Sequence, residues 1–314
     1  FPGHLFNLCQ SVEKHCTDDW SFLSQFSFAH HETGKLDEAL RLSEQSLEMY
    51  PSNGVASHSV AHAYFEMGDA SSGGDFLGKW LDGYDKRGPS TVHLSWHQAL
   101  FQLAMGRYQD ALDLYESGVR PTVVEKGSTA LNDSASLMWR WQMYTKAAAP
   151  APWEEVCVIA ASAADSPGPA FRDAHAALAF ASGDPEAFQR LKDRLGEAAN
   201  AGNPLAAEVT LPLVQGIGAF AEGNYSESAA KLEPLAHQFA RIGGSHAQRE
   251  VFEDTLLEAY LRSDQVEKAE VMLRERLGRR PSYRDTFWMG RAQVSAGETV
   301  QATSTLQNAI DGWK

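Results

Sequence analysis

The chain has 314 residues, 43% of them hydrophobic, and its 41 acidic and 27 basic side chains give a formal net charge of −14. This balance argues against a general nucleic-acid binder, which needs a basic face, and against attachment to an anionic membrane surface. No apolar stretch reaches the roughly 18–20 residues that a membrane span requires. Three cysteines form no dense disulfide framework, so we expect a reducing, cytoplasmic setting.

Residues 19–53 carry the features of a helical hairpin. Two helical stretches meet at Thr33–Lys35, with Leu36, Ala39 and Pro51 at set offsets from the turn. Small residues where helices cross, glycine at the turn and proline after the second helix are typical of the 34-residue tetratricopeptide repeat. Strand-type alternation is almost absent from the chain, so we predict an all-α fold.

The turn glycine of this hairpin recurs along the chain. After Gly34, the turns are marked by Gly68, Gly106, Gly183, Gly223, Asp264 and Gly297. A less regular hairpin lies between the third and fourth marks, with one helix over Asn132–Ala148 and its partner over Pro152–Ala164. The pattern predicts about eight hairpins in one continuous tetratricopeptide-like α-solenoid over residues 1–314, curved around a concave polar pocket.

Histidines at helical spacing are the sharpest candidate for a site. His58, His62 and Glu66 are four residues apart on the first helix of the second hairpin, so they line one helix face. His93 projects from the first helix of the third hairpin toward the same concave side. Two histidines at this spacing can ligate one ion and a carboxylate one turn on completes the set, which predicts a site for Zn²⁺ or Fe²⁺ with an open position. A metal-free polar pocket and structural packing of the imidazoles remain as alternatives.

Two further histidines lie beside carboxylates in the repeat register. His97 with Asp133, and His175 with Asp173, are predicted orienting pairs of the kind that acid–base sites use. Trp96 is predicted to line the pocket between them. If the protein is an enzyme, the catalytic residues would be His62, His93, His97 and Asp133.

The segment Gly243–Phe252 reads as a glycine turn followed by a helix with Ser245 as its N-cap. The first turn of that helix carries His246, Gln248 and Arg249. Exposed amides and a guanidinium at a helix N-terminus predict an anion site for a carboxylate or a phosphate. The alternative is a capped joint between repeats in which Arg249 pairs with an acidic neighbour.

Five segments together resemble the tetratricopeptide repeat protein 38 family. They are Val60–His62 with Glu66–Met67, His93–His97, Asp133–Arg140, Phe171–His175 and Gly243–Phe252. Their order and spacing cover roughly residues 20 to 280. The resemblance implies the same helical-repeat fold, with further helices upstream of Phe1, and it implies little about the activity.

Three functions stay open from the residues. The first is a solenoid that binds a small anionic molecule or a peptide in its concave pocket. The second is an enzyme in that pocket, either a metal-assisted hydrolase or an acid–base catalyst. The third is a scaffold for other proteins, which predicts an open groove of alternating Asn, Lys and aromatic side chains. No P-loop, dinucleotide fingerprint, GxSxG elbow or HExxH segment occurs, and the many ionisable side chains favour a pocket.

Overall fold

Every regular element is a helix in the part of the chain that the computed structural model describes, residues 2–145 and 151–313. The all-α prediction is therefore confirmed. The α-helices are α1 Pro2–Val12, α2 Trp20–Glu32, α3 Leu36–Met49, α4 Gly54–Met67, α5 Ala70–Asp82, α6 Thr91–Ala104, α7 Tyr108–Leu114, α8 Arg120–Val124, α9 Leu131–Thr145, α10 Trp153–Asp165, α11 Ala170–Gly183, α12 Pro185–Asn200, α13 Leu211–Ala221, α14 Tyr225–Leu232, α15 His246–Arg262, α16 Val266–Arg279, α17 Tyr283–Ser295 and α18 Thr299–Gly312. π-Helical turns at Tyr115–Val119 and Ala206–Thr210 continue α7 and precede α13. Within this part of the chain, no helix combines the length and the apolarity that a membrane span needs.

Apart from α1 and the short α8, the described helices pair as eight hairpins. The pairs are α2 with α3, α4 with α5, α6 with α7, α9 with α10, α11 with α12, α13 with α14, α15 with α16, and α17 with α18. The tetratricopeptide-like solenoid and its number of hairpins are confirmed. The irregular hairpin predicted over Asn132–Ala148 and Pro152–Ala164 corresponds to α9 and α10. Residues 146–148 of that prediction lie outside the described residues.

Side-chain caps set where several of these helices begin. The carboxylate of Asp19 accepts hydrogen bonds from the backbone N–H groups of Ser21 (2.8 Å) and Phe22 (3.1 Å) at the start of α2. Asn53 caps α4 through the N–H of Val55 at 3.0 Å. Each cap satisfies donors that a helix leaves unpaired at its first turn and contributes about 1 kcal/mol.

Left-handed residues end the first helix of most hairpins, as the turn marks predicted. Positive φ angles occur at Gly34, Gly68, Gly106, Gly223, Asp264 and Gly297. Gly183 is an exception, because it is the last residue of α11 and is absent from the positive-φ residues. Gly183 instead allows close packing, because a Cβ at this position would lie 2.7 Å from the Cβ of Trp153.

The solenoid curls until its last two hairpins touch the second and third. Trp313 donates its indole N–H to the carbonyl of Ala104 at 2.9 Å. The Arg280 guanidinium lies 3.9 Å from the centre of the Phe65 ring, which connects the end of α16 to α4. This closure turns the concave surface into an interior that side chains of α4, α6, α9, α15 and α17 share.

Candidate functional site

Four imidazoles from two neighbouring helices converge in this interior. His58 and His62 come from α4, and His93 and His97 come from α6. One ring nitrogen of each lies within 4.8 Å of the others. The Nε2 atom of His58 is 2.9 Å from Nε2 of His62 and 3.0 Å from Nε2 of His93. The i, i+4 spacing read from the sequence produces this arrangement, because it stacks both pairs on facing helix surfaces.

Asp133 on α9 orients one member of the group. The Nδ1 atom of His93 lies 3.1 Å and 3.0 Å from the two carboxylate oxygens of Asp133. An Nδ1–H that donates to the carboxylate leaves the Nε2 lone pair directed at the other imidazoles. A carboxylate behind a ligating histidine is the usual arrangement around protein-bound zinc.

The protonation states favour lone pairs in the centre of the group. Burial, followed by the like charges of the neighbouring imidazoles, lowers the pKa of His58, His62 and His97 well below the ordinary value. Burial also opposes a charge on His93, but the Asp133 carboxylate outweighs it and raises the pKa of His93. His58, His62 and His97 are therefore neutral rings that offer nitrogen lone pairs to a cation, whereas the Asp133 carboxylate favours the protonated form of His93.

Buried nitrogens in the group also lack hydrogen-bond partners among the residues that the structure describes. They are Nδ1 of His62 and Nε2 of His97. Buried polar atoms without a partner are rare in folded proteins and are often explained by an ion or a water. Four nitrogens at 2.0–2.1 Å from a tetrahedral ion would lie about 3.3 Å apart. The closest Nε2 separations of 2.9–3.0 Å are slightly shorter than this, and all four nitrogens lie within 4.8 Å of one another, so the rings would have to shift to hold an ion.

Aromatic rings surround the group and restrict the rotation of its members. Trp96 stacks on His93, with 5.3 Å between ring centroids and 12° between planes, and its indole N–H donates to Ser136 Oγ at 2.9 Å. Phe28 stacks on His58 at 5.8 Å and 16°. The predicted pocket wall at Trp96 is in fact fully buried. It supports the site from behind instead of presenting a surface to a ligand.

The structure corrects three of the pairings expected from the sequence. Glu66 lies outside the imidazole group and contacts Nδ1 of His246 at 2.9 Å, because the next turn of α4 faces α15 and not α6. His97 takes the place expected of Glu66 in the group. Asp133 pairs with His93 and not with His97. The Asp133 pairing depends on how α6 sits against α9, and the Glu66 contact depends on how α4 meets α15; the hairpin pattern leaves both open.

The third correction concerns His175 and Asp173, which do not bond to each other. Nδ1 of His175 donates to the carbonyl of Phe171 at 2.8 Å, one turn earlier in the same helix. The Asp173 carboxylate accepts bonds from the backbone N–H of Gly168 and from Arg172 (3.1 Å). Burial of Asp173 is the largest influence on its carboxyl and raises its pKa. The bonds of Asp173 and His175 thus lie within the first turns of α11 and the segment before it.

The groups expected to bind an anion at the start of α15 are engaged within the turn. Ser245 is the N-cap, as predicted, and forms a reciprocal capping box with Gln248 at 3.3 Å and 2.9 Å. Arg249 donates to the turn carbonyls of Gly243 and Gly244. These bonds favour the alternative of a capped joint between repeats, although Arg249 bonds to backbone carbonyls in place of the expected acidic neighbour.

The sequence reasoning missed a buried network of charges next to the imidazoles. Four guanidiniums and three carboxylates meet there: Arg140, Arg276, Arg280, Arg284, Glu250, Asp254 and Asp285. A signal was present, since Glu250, Asp254 and Glu258 recur every fourth residue along α15. A carboxylate stripe on a concave helix predicts cationic partners on the facing helices.

The network keeps its members ionised despite their burial. Burial alone would raise the pKa of Glu250, but Arg280, Arg276 and Arg284 outweigh it and hold that pKa well below the ordinary value. Burial likewise opposes the charge on Arg276, and Asp285 and the other carboxylates outweigh it and raise the pKa of Arg276. The interior thus contains fixed charges beside neutral imidazoles.

Comparison with known proteins gives limited information. No family model matches the sequence. Among solved structures, the chain is similar to one described as the structure of Naa15/Naa10 bound to HypK-THB, with 14% sequence identity and a TM-score of 0.27. The match covers 99% of this chain and 63% of that chain, so this chain spans less than two thirds of the length of the one it matches.

Proposed function

We propose that this protein binds one divalent transition-metal ion through His58, His62, His93 and His97, and that the ion holds a small anionic molecule in the closed interior. The observation that carries the proposal is the convergence of four imidazole nitrogens within 4.8 Å. Neutral imidazole suits zinc, iron, copper and nickel, whereas magnesium and calcium prefer oxygen ligands.

The surroundings of the four rings support the same function. Asp133 would hold His93 in the tautomer that ligates through Nε2. The side chain of His93 is 29% exposed, and His58 is half-buried, so one side of the group is open to the interior. Such an ion would act as a Lewis acid toward an anion that enters from that side.

The interior favours this function over a peptide scaffold. A scaffold groove has to stay open along its length, whereas here the Glu66–His246 contact and the Arg280–Phe65 contact bridge opposite sides of the concave surface. Buried ion pairs, and not the Asn and Lys side chains of a peptide groove, fill the centre.

Elemental analysis of untagged protein, purified without chelator, tests the proposal. We expect about one equivalent of zinc or iron per chain, since a preformed set of neutral imidazoles retains such an ion. The double variant His62→Ala/His93→Ala should lose it, while exposed His237→Ala, with its ring outside the group, should retain it. Circular dichroism verifies that each variant is folded.

Titration of the stripped protein with Co²⁺ gives a second readout, because ligation by several imidazoles changes the visible absorption of cobalt. If the parent protein neither carries an ion nor binds Co²⁺, the proposal is wrong. It is equally wrong if the double variant, shown to be folded, binds Co²⁺ as tightly as the parent.

A second candidate function is metal-free acid–base chemistry at the His93–Asp133 pair. It is favoured by the 3.0 Å contact and by the partial exposure of His93, which alone in the group has a raised pKa. In this case His93 would exchange protons with a ligand and Asp133 would orient it. Retention of function after complete removal of metal would favour this candidate over the first.

We further propose that the chain is related to the tetratricopeptide repeat protein 38 family. What supports the relation is that residues of three of the five similar segments contribute to one interior. His62, His93, His97, Asp133 and Arg140 all lie on the concave helices α4, α6 and α9.

A further inference from the structure

We propose that the protein has a second binding site, in a cleft beside the imidazole group, for a small molecule with one carboxylate and an apolar body. The cleft has a volume of about 470 Å³ and lies where the last hairpin returns against the second and third. This volume falls within the about 300–1,000 Å³ of typical small-molecule pockets. Among the described residues, none of the four imidazoles lines it.

A buried guanidinium that has an unpaired nitrogen, that of Arg140, lines the cleft. Arg140 is fully buried, and its Nη2 donates to the carbonyl of Ala247 at 2.7 Å. Its Nε lies 3.5 Å from the Asp254 carboxylate, while its Nη1 has no hydrogen-bond partner among residues 2–145 and 151–313. A buried donor of this kind carries a free-energy cost while it stays unpaired. An acceptor that enters the cleft would remove that cost.

Arg280 provides a second donor in the same cleft. Its guanidinium is held by Glu250 on one side and by the Phe65 ring at 3.9 Å on the other. The Nη1 atom is buried, makes no hydrogen bond within the described residues, and lies 3.9 Å from the Glu66 carboxylate. Two fixed guanidiniums with spare donors on one cleft are suited to the two oxygens of a carboxylate.

The cationic groups on the cleft favour an anion over a cation. The network contains four buried guanidiniums and three buried carboxylates. The half-buried carboxylates Glu66 and Glu253 lie 3.9 Å from Arg280 and Arg276. Because this distance is longer than a hydrogen bond, a carboxylate on the ligand would still find donors on Arg280.

The other walls of the cleft are apolar and select the body of the ligand. They are formed by Phe65, Met67, Leu100, Phe101, Met105 and Trp313. Burial of an apolar group against them stabilises the complex, because it removes apolar surface from water. The combination of donors at one end and apolar walls elsewhere distinguishes this site from a plain phosphate site.

Calorimetric titration of the metal-stripped, dialysed protein with 3-phenylpropanoate tests the inference. We expect binding about 10–100-fold tighter than that of the uncharged 3-phenylpropan-1-ol, because only the acid forms charge-assisted hydrogen bonds. Arg140→Met should lower the affinity for the acid at least about 10-fold and remove its advantage over the alcohol. Inorganic phosphate should bind more weakly than the acid, since it buries no apolar surface.

A second pair of variants keeps the test informative if Arg140→Met does not fold. Half-buried Met67 lines the cleft, so Met67→Trp should fill it and abolish binding. Met49→Trp, at an exposed position of α3 away from the cleft, should bind like the parent. Equal affinity for acid and alcohol, undiminished binding in Met67→Trp, or no binding by the parent would overturn the inference. Binding of the acid only after metal is restored would also overturn it, while supporting the proposed metal function.

Discussion

At the scale of single residues, the Asp133–His93 contact determines which nitrogen of His93 faces the other imidazoles. Because the carboxylate lies 3.0 Å from Nδ1, the opposite nitrogen of the ring points toward His58. The other members are positioned by packing: Phe28 and Trp96 stack on the two rings that are half-exposed. The metal affinity of such a site depends on the carboxylate that bonds to a ligating histidine as well as on the histidine itself.

We therefore predict that Asp133→Asn weakens metal binding without removing a ligand. Asparagine preserves the shape of the side chain but loses the negative charge, so affinity for Co²⁺ should fall about 10–100-fold. Spectroscopic titration of the stripped protein measures the change. The exposed substitution Asp113→Asn serves as the control. An affinity equal to that of the parent would mean that Asp133 has no part in the site.

At the scale of elements, the turn glycines meet two different requirements, which are a left-handed backbone and close contact with another hairpin. Gly34 and Gly68 have φ angles of 77° and 71°, so both occupy the left-handed region. A Cβ at Gly34 would meet nothing within 4 Å. A Cβ at Gly68 would lie 2.2 Å from the carbonyl oxygen of Pro281, where the second hairpin meets the segment before α17. The same repeat position is thus a local turn in one hairpin and a contact across the solenoid in another.

We predict that alanine at these two positions has unequal effects. Gly34→Ala should destabilise the protein by about 1 kcal/mol, the backbone cost of a left-handed alanine. Gly68→Ala carries the same cost and a steric overlap, so the total loss should be about 2–4 kcal/mol. Urea unfolding of both variants gives the comparison. Equal losses would show that the second and last hairpins do not touch at this point.

At the scale of the whole molecule, buried ion pairs join the last hairpins to each other and to the centre. Glu258 on α15 accepts the indole N–H of Trp288 at 2.8 Å and bonds to Arg262 at 2.9 Å and to Arg291. Burial would raise the pKa of Glu258, but the guanidiniums of Arg291 and Arg262 outweigh it and lower that pKa. Folding is therefore linked to the ionisation of this carboxyl group.

The sign of the linkage gives a prediction for acid unfolding. A carboxyl with a depressed folded-state pKa adds stability above its unfolded value of about 4.3, and this is lost as the pH falls through the folded-state pKa. Glu250 acts in the same direction, whereas Asp173, with its raised pKa, acts in the opposite one. We expect the free energy of unfolding to fall steeply from about pH 5 to about pH 3.

Substitution of Glu258 isolates one part of this dependence. Glu258→Gln should cost about 3 kcal/mol near pH 7, because it leaves two guanidiniums without their carboxylate. The difference from the parent should shrink as the pH falls, since the parent protonates the same group. Exposed Glu186→Gln on α12 is the control. A difference that stays constant with pH would mean that Glu258 contributes through packing alone.

Local sequence signals predict the repeat, its hairpins and the helix faces that carry the histidines. Glycine at the turn, small residues at crossings and i, i+4 spacing act locally, so they constrain each hairpin without knowledge of its neighbours. For this reason the spacing alone predicts that His58 with His62, and His93 with His97, face the concave side.

Only the tertiary structure decided which side chains meet across hairpins. The rotation between neighbouring hairpins placed Asp133 beside His93 and not beside His97. The curvature of the solenoid brought Glu66 into contact with His246. The charged network between α9, α15, α16 and α17 depends on the same closure, because its partners are distant in sequence. Arg140 and Asp254, for example, are 114 residues apart. Small rotations accumulate over eight hairpins. Because a side chain reaches only a few ångströms, the accumulated rotation decides whether two side chains are in contact.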